Sequence, residues 1–113
     1  MLGITTLTNE PKQRHTLVLE NNETVDFRLY YSTRCESWYF DFAYNDFICN
    51  GLKVVLSPNV LRQFKRILPF SFAFISQNNV EPFRIDDFSS GRVSMYILNE
   101  DDIALIEEEI YNE

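Results

Sequence analysis

The stretch Thr24-Val-Asp-Phe-Arg-Leu-Tyr-Tyr-Ser-Thr-Arg-Cys-Glu-Ser-Trp-Tyr-Phe-Asp-Phe-Ala-Tyr44 reads as two extended runs across a short polar turn. Val25, Phe27, Leu29 and Tyr31 share one side, with Asp26, Arg28 and Tyr30 on the other; Trp38, Phe40, Phe42 and Tyr44 then alternate with Tyr39, Asp41 and Ala43. Alternation of period two marks a half-buried strand. The stretch therefore predicts a β-hairpin turning at Ser32 to Ser37, its aromatic side towards a core. Arg34 in the turn and Trp38 on the return strand also suggest guanidinium packed on indole, which would pin the hairpin. The role expected of Arg34 and Trp38 is structural.

Upstream, Ile4 to Leu7 is a short extended start, and Arg14 to Leu19 a strand with His15, Leu17 and Leu19 on one side. Glu20-Asn21-Asn22-Glu23 has the side chains of a tight turn. Downstream, Phe47 to Leu56 is a strand interrupted at Asn50-Gly51, where a bulge or sharp bend is expected. Strands joined by such short turns make a meander. Ser57-Pro58 is a helix start; Val60, Leu61, Phe64 and Ile67 follow at helical spacing, with Arg62, Lys65 and Arg66 on the wet side. That predicts an internal helix near 58–67, ended before Pro69. Phe70 to Ser76 and Arg92 to Leu98 return to strand, separated by a loop of turns.

Asn99 caps a short helix whose first turn is acidic, where the helix dipole favours carboxylates. Ile103, Ile106 and Ile110 then form an apolar stripe that needs a surface to cover it. Glu107-Glu108-Glu109 stands at the wrong end for the dipole, so the segment is expected to be ordered mainly by docking. The fold class is mainly β: an antiparallel sandwich or partly open barrel of six or seven strands, with one internal helix and a short C-terminal helix. The β domain spans 1–98 and an acidic helix or tail spans 99–113. Ile103, Ile106 and Ile110 are the candidate partner contacts.

A chain of 113 residues forms one domain and buries roughly two-thirds of its unfolded surface. Ten Phe, six Tyr and one Trp favour a sheet with a ring-filled core. The charge of −7 is uneven: residues 1–80 carry +1 and residues 81–113 carry −8. That acidity disfavours nucleic acid unless Arg62, Lys65 and Arg66 share a face. No signal peptide or membrane span is read, so a reducing, cytoplasm-like compartment is expected, with Cys35 and Cys49 as thiols.

No cofactor or metal is expected, because one His and two Cys offer no close-spaced ligand pair. No catalytic residue is expected either. His15 lacks a nucleophile, Cys35 lacks a base, and Asp86-Asp87 reads as turn-forming carboxylates. Two alternatives stand beside a structural protein. An aromatic sheet presenting Tyr30 and Tyr39 suits a small-ligand or carbohydrate-binding module. A hydrolase through Asp41 or Asp86-Asp87 needs a pocket with a carboxyl of raised pKa.

Several stretches together resemble the baseplate plug proteins of contractile-tailed phages, of the cyanophage type. They are Ile4-Thr5-Thr6-Leu7, His15 to Leu19 after Gln13, Phe27-Arg28-Leu29-Tyr30-Tyr31 and Arg34-x-x-x-Trp38-Tyr39-Phe40-Asp41. Gly51-Leu52-Lys53-Val54-Val55, Leu61 to Phe64, Asp86-Asp87-Phe88, Gly91-Arg92 and Ser94-Met95-Tyr96 continue the pattern. The chain departs from it at Asn45-Asp46, where Asp-Gly is expected, and at Pro69-Phe70-Ser71, where a Gly-containing turn is expected. The resemblance implies a structural virion component, assembled in the host cytoplasm, at the baseplate hub near the end of the tail tube. It implies contacts with hub or tail-tube proteins, with a homo-oligomer also open, and no reaction. An edge strand at Ile4 to Leu7 would suit addition to a neighbour's sheet.

Overall fold

The hairpin read from Thr24 to Tyr44 is the centre of a four-stranded sheet in the computed structural model, which describes residues 2–111. Met1, Asn112 and Glu113, the ends of the expected 1–98 and 99–113 segments, lie outside the described residues. The strands are β1 (Leu2–Ile4), β2 (Lys12–Val18), β3 (Thr24–Ser32), β4 (Ser37–Tyr44), β5 (Phe47–Lys53), β6 (Ser71–Ser76) and β7 (Val93–Leu98). They form two antiparallel sheets, one in the order β2-β3-β4-β5 and the other β1-β7-β6. The first is the predicted meander. The two sheets pack face to face and neither closes, so of the two expected architectures the sandwich is the one formed.

Register follows the alternation. Tyr31 lies opposite Trp38, Leu29 opposite Phe40 and Phe27 opposite Phe42, which places all six on the side facing the second sheet. Phe72, Phe74, Val93, Met95 and Ile97 come from that second sheet to meet them, with Phe70 just before β6. The rings interlock edge to face: Phe72 lies 5.4 Å from Phe27, 6.0 Å from Phe40 and 6.0 Å from Phe42. This is the preferred ring geometry, with a positive edge on a negative face.

Turn chemistry places each reversal. Asn22 and Asn45 take positive φ at 67° and 50°, a region Asn enters more readily than most residues. Asn45 thus supplies the left-handed residue for which Asp-Gly is expected. The bulge appears where expected: Phe40 faces Leu52 and Phe42 faces Cys49, so Asn50 and Gly51 together oppose Asp41. Gly51 has φ +74° and donates its amide to Asp41 Oδ1 at 2.7 Å.

The helix expected near 58–67 is corrected to a single 3-10 turn at Arg62–Phe64. The preceding residues stay extended because the edge of β6 needs partners. Ser57 exchanges both backbone hydrogen bonds with Phe74 at 3.1 Å, and the Val60 amide donates to the Phe72 carbonyl at 2.9 Å. A helix there would leave buried β6 backbone unpaired. Ser57 is therefore a bridge residue and not a helix cap. Leu61 is buried and Val60 and Phe64 pack on the core, but Ile67 departs from the expected stripe and is exposed.

β1 occupies Leu2–Ile4, two residues earlier than read, and pairs with β7 at the sheet edge. Helix α1 (Glu100–Ile106) is capped as expected: the Asp102 amide donates to Asn99 Oδ1 at 2.8 Å and the Asn99 amide to Asp102 Oδ2 at 3.2 Å. A wider, π-type turn, Glu107–Tyr111, continues it. No helix among the described residues is long and apolar enough to cross a membrane.

Candidate functional site

Three surfaces use the residues singled out by the sequence. The first is the loop 77–92, which folds over the end of the hairpin. Trp38 is fully buried, and its indole Nε1–H donates to the Arg84 carbonyl at 2.9 Å while Phe88 meets the ring edge to face at 5.3 Å. Tyr31 Oη donates to the Phe83 carbonyl at 2.7 Å. Arg34 is exposed in the turn and packs on no ring among the described residues. The expected Arg34–Trp38 pin is thus replaced by one that crosses 46 residues.

Asp87 ties the same loop from within. Its carboxylate is buried and accepts the Phe83 and Arg84 amides at 2.7 and 2.8 Å and two Arg92 guanidinium donors at 2.8 and 2.7 Å. Arg92 spends its other donors on Asn78 Oδ1 and on the Val80 and Glu81 carbonyls. Burial pushes the Asp87 carboxyl up, but the Arg92 guanidinium and the two amides outweigh it and hold it below its ordinary value. Asp86 beside it is exposed, so the two carboxylates do not share a site.

The second surface is the C-terminal helix, seated on the outer side of the β1-β7-β6 sheet. Ile103 is buried against Ala73 and Leu98, and Ile106 packs beside it with Tyr96. Ile110 is exposed, as are Leu105, Glu108 and Glu109. The stripe read as three partner contacts therefore divides: two residues cover the chain's own sheet and one faces outward. Glu107 resolves the conflict with the dipole. Its carboxylate accepts Arg62 Nε and Nη2 at 2.8 and 3.1 Å and Lys65 Nζ at 3.3 Å. Those hydrogen bonds hold the Glu107 carboxyl below its ordinary value and engage two of the three cations considered for a basic face.

The third surface is the outer face of β2-β3-β4-β5, which no element among the described residues covers. Tyr30 and Tyr39 stack there with centroids 5.9 Å apart at 19°, each ring giving one face to the other. Beside them a shallow hollow of about 310 Å³ is lined by Lys12, Gln13, Arg14, Arg28, Leu29, Tyr30 and Asp41. Asp41 Oδ1 accepts the Gly51 amide and the Tyr30 hydroxyl, at 2.7 and 3.2 Å, so this carboxylate is committed to the bulge. Burial and then Asp41 push the Tyr30 hydroxyl up. His15 lies on the core-facing side of β2, donates through Nε2 to Gln13 Oε1 at 2.8 Å and is pulled down by burial.

Among the described residues no cluster of His, Cys, Asp or Glu is arranged to hold a metal ion. Among the described residues the displaced carboxyls, those of Glu23, Asp87, Asp102 and Glu107, are moved down, the opposite of the raised acid on which a hydrolytic reading depends. Cys35 and Cys49 are free thiols. The sequence reading missed the closing of loop 77–92 over Trp38. The available signal was Asp87 and Arg92 flanking a run of turn residues.

The family model described as the cyanophage baseplate Pam3 plug gp18 matches residues 1–100. That span takes in both sheets and loop 77–92, with the Trp38, Asp87 and Arg92 positions, and ends at the first residue of α1. None of the curated proteins matches the chain.

Proposed function

The chain belongs to the cyanophage baseplate plug family, and from that premise we propose that it is a subunit of a contractile-tail baseplate, seated at the hub beside tail-tube proteins and held by protein–protein contacts. The observation that carries this reading is the extent of the match, which covers residues 1–100, the whole sandwich. The polar chemistry is consistent with it. Asp87, Arg92, Asp41 and Glu107 each hold one part of the fold against another. The chain's contribution is then shape and surface, carried into the virion tail. Of the C-terminal stripe, Ile110 is the residue left for a neighbour, and Leu105 is exposed on the same segment.

Protein mass spectrometry of purified tails from a host strain carrying the reading frame tests this. The reading expects the chain in tails at a fixed copy number, and missing from tails made by a deletion strain. A chain that stays free in the lysate while tails lack it would overturn the proposal.

A further inference from the structure

Opposite faces of the sandwich carry opposite chemistry. On the outer face of β2-β3-β4-β5, the stacked Tyr30–Tyr39 pair lies in one row between Lys12 and Lys53, which oppose Tyr30 and Tyr39 across the sheet. Arg28 stands in the next row between Arg14 and Asp41. The two carboxylates nearby are engaged: Asp26 is paired with Arg14 at 2.8 Å, and Asp41 holds the bulge. Lys12, Arg28 and Lys53 are exposed and have no hydrogen-bond or ion-pair partner among the described residues. Tyrosine and arginine flanking a bare, flat face is the composition of an interface centre.

Across the molecule, the sequence after Arg92 has no Lys or Arg. Its helical end exposes Leu105, Glu108, Glu109 and Ile110, while Glu107 is paired with Arg62 and Lys65. This end sits on the far sheet, since Ile103 is buried against Ala73 and Leu98. It therefore cannot reach the basic face of its own chain.

We infer that the basic aromatic face of β2-β3-β4-β5 docks the acidic C-terminal end of a second copy of this chain. Glu108 and Glu109 meet Lys12, Arg28 and Lys53, and the aliphatic side chains lie on the tyrosines. Because two different faces meet, the contact is heterologous; it closes into a ring where the rotation allows and otherwise propagates as a stack. The inference rests on the C-terminal end being a contact surface. It is tested on the purified chain alone, so its failure leaves the baseplate reading standing.

The experiment is sedimentation velocity at low and high salt with the wild type, the variant Lys12→Glu/Lys53→Glu, the variant Glu108→Lys/Glu109→Lys, and an equimolar mixture of the two. All four positions are exposed, and circular dichroism checks that each variant keeps its sheet. The wild type is expected to form multiples of the 13.4 kDa chain that dissociate as salt screens the charges. Each double variant is expected to associate at least about tenfold more weakly, and the mixture to regain association, because each variant keeps the surface the other has lost and the two altered surfaces are also complementary. A wild type that stays monomeric at low salt, variants that associate as well as wild type, or a mixture that stays monomeric would each overturn it.

Discussion

Asp87 is the carboxylate on which loop 77–92 depends, and its exposed neighbour Asp86 makes a useful control. Replacing Asp87 with Asn leaves Arg92 partly buried without its counter-charge, and breaking such a pair costs about 3 kcal/mol. Urea unfolding at pH 7 should show that loss for Asp87→Asn and almost none for Asp86→Asn. The folded Asp87 carboxyl titrates below its ordinary value. Its contribution is therefore complete above the unfolded value near pH 4 and is lost as pH falls through the lower folded one. The gap between wild type and Asp87→Asn should accordingly narrow in acid. Trp38 and Arg34 part company in the same assay. Trp38→Phe removes the hydrogen bond to the Arg84 carbonyl and part of a buried ring, for about 2 kcal/mol, whereas Arg34→Ala should change stability by less than about 0.5 kcal/mol. Spacing placed both residues correctly on the hairpin. It does not disclose that the indole's partner lies 46 residues away, which is why the local pairing was favoured.

Elements with a strict period were legible, and those shaped by a neighbour's edge were not. β3 and β4 follow their alternation, and the Asn50-Gly51 interruption becomes a bulge because Gly51 accepts φ +74°. A Cβ there meets nothing within 4 Å, so Gly51→Ala should cost only the backbone term, about 1 kcal/mol, measured by thermal unfolding. The segment 58–67 has a helix's spacing and start signal, yet pairing with β6 took its first residues and left one 3-10 turn. Propensity is a weak prior against an unpaired buried edge. The C-terminal helix shows the converse: its cap and stripe were readable, but the Arg62 and Lys65 that anchor Glu107 belong to another element. Glu107→Gln should leave the sandwich intact while amide exchange over 101–106 quickens roughly three- to tenfold. Because Ile103 also covers Ala73 and Leu98, contact and packing in this helix are separated by point variants at exposed positions such as Ile110.

At the scale of the molecule, the meander sheet packs on a second made from β1, β6 and β7, and an aromatic core fills the space between. The first sheet was readable because its strands follow one another through short turns. The pairing of β1 with β7 spans almost the whole chain, and no local pattern encodes it. The surfaces were less legible than the fold, since sequence shows that Ile103, Ile106 and Ile110 share a stripe but not how much of it the chain itself covers. The charged and capping groups of this sandwich lock its own loops and helix, as at Asp87–Arg92 and Asn99–Asp102. The most direct measurement is native mass spectrometry of the chain co-expressed with the products of its neighbouring reading frames. A heteromeric complex of defined stoichiometry with a baseplate partner is expected; a chain that joins none of them would overturn the baseplate assignment.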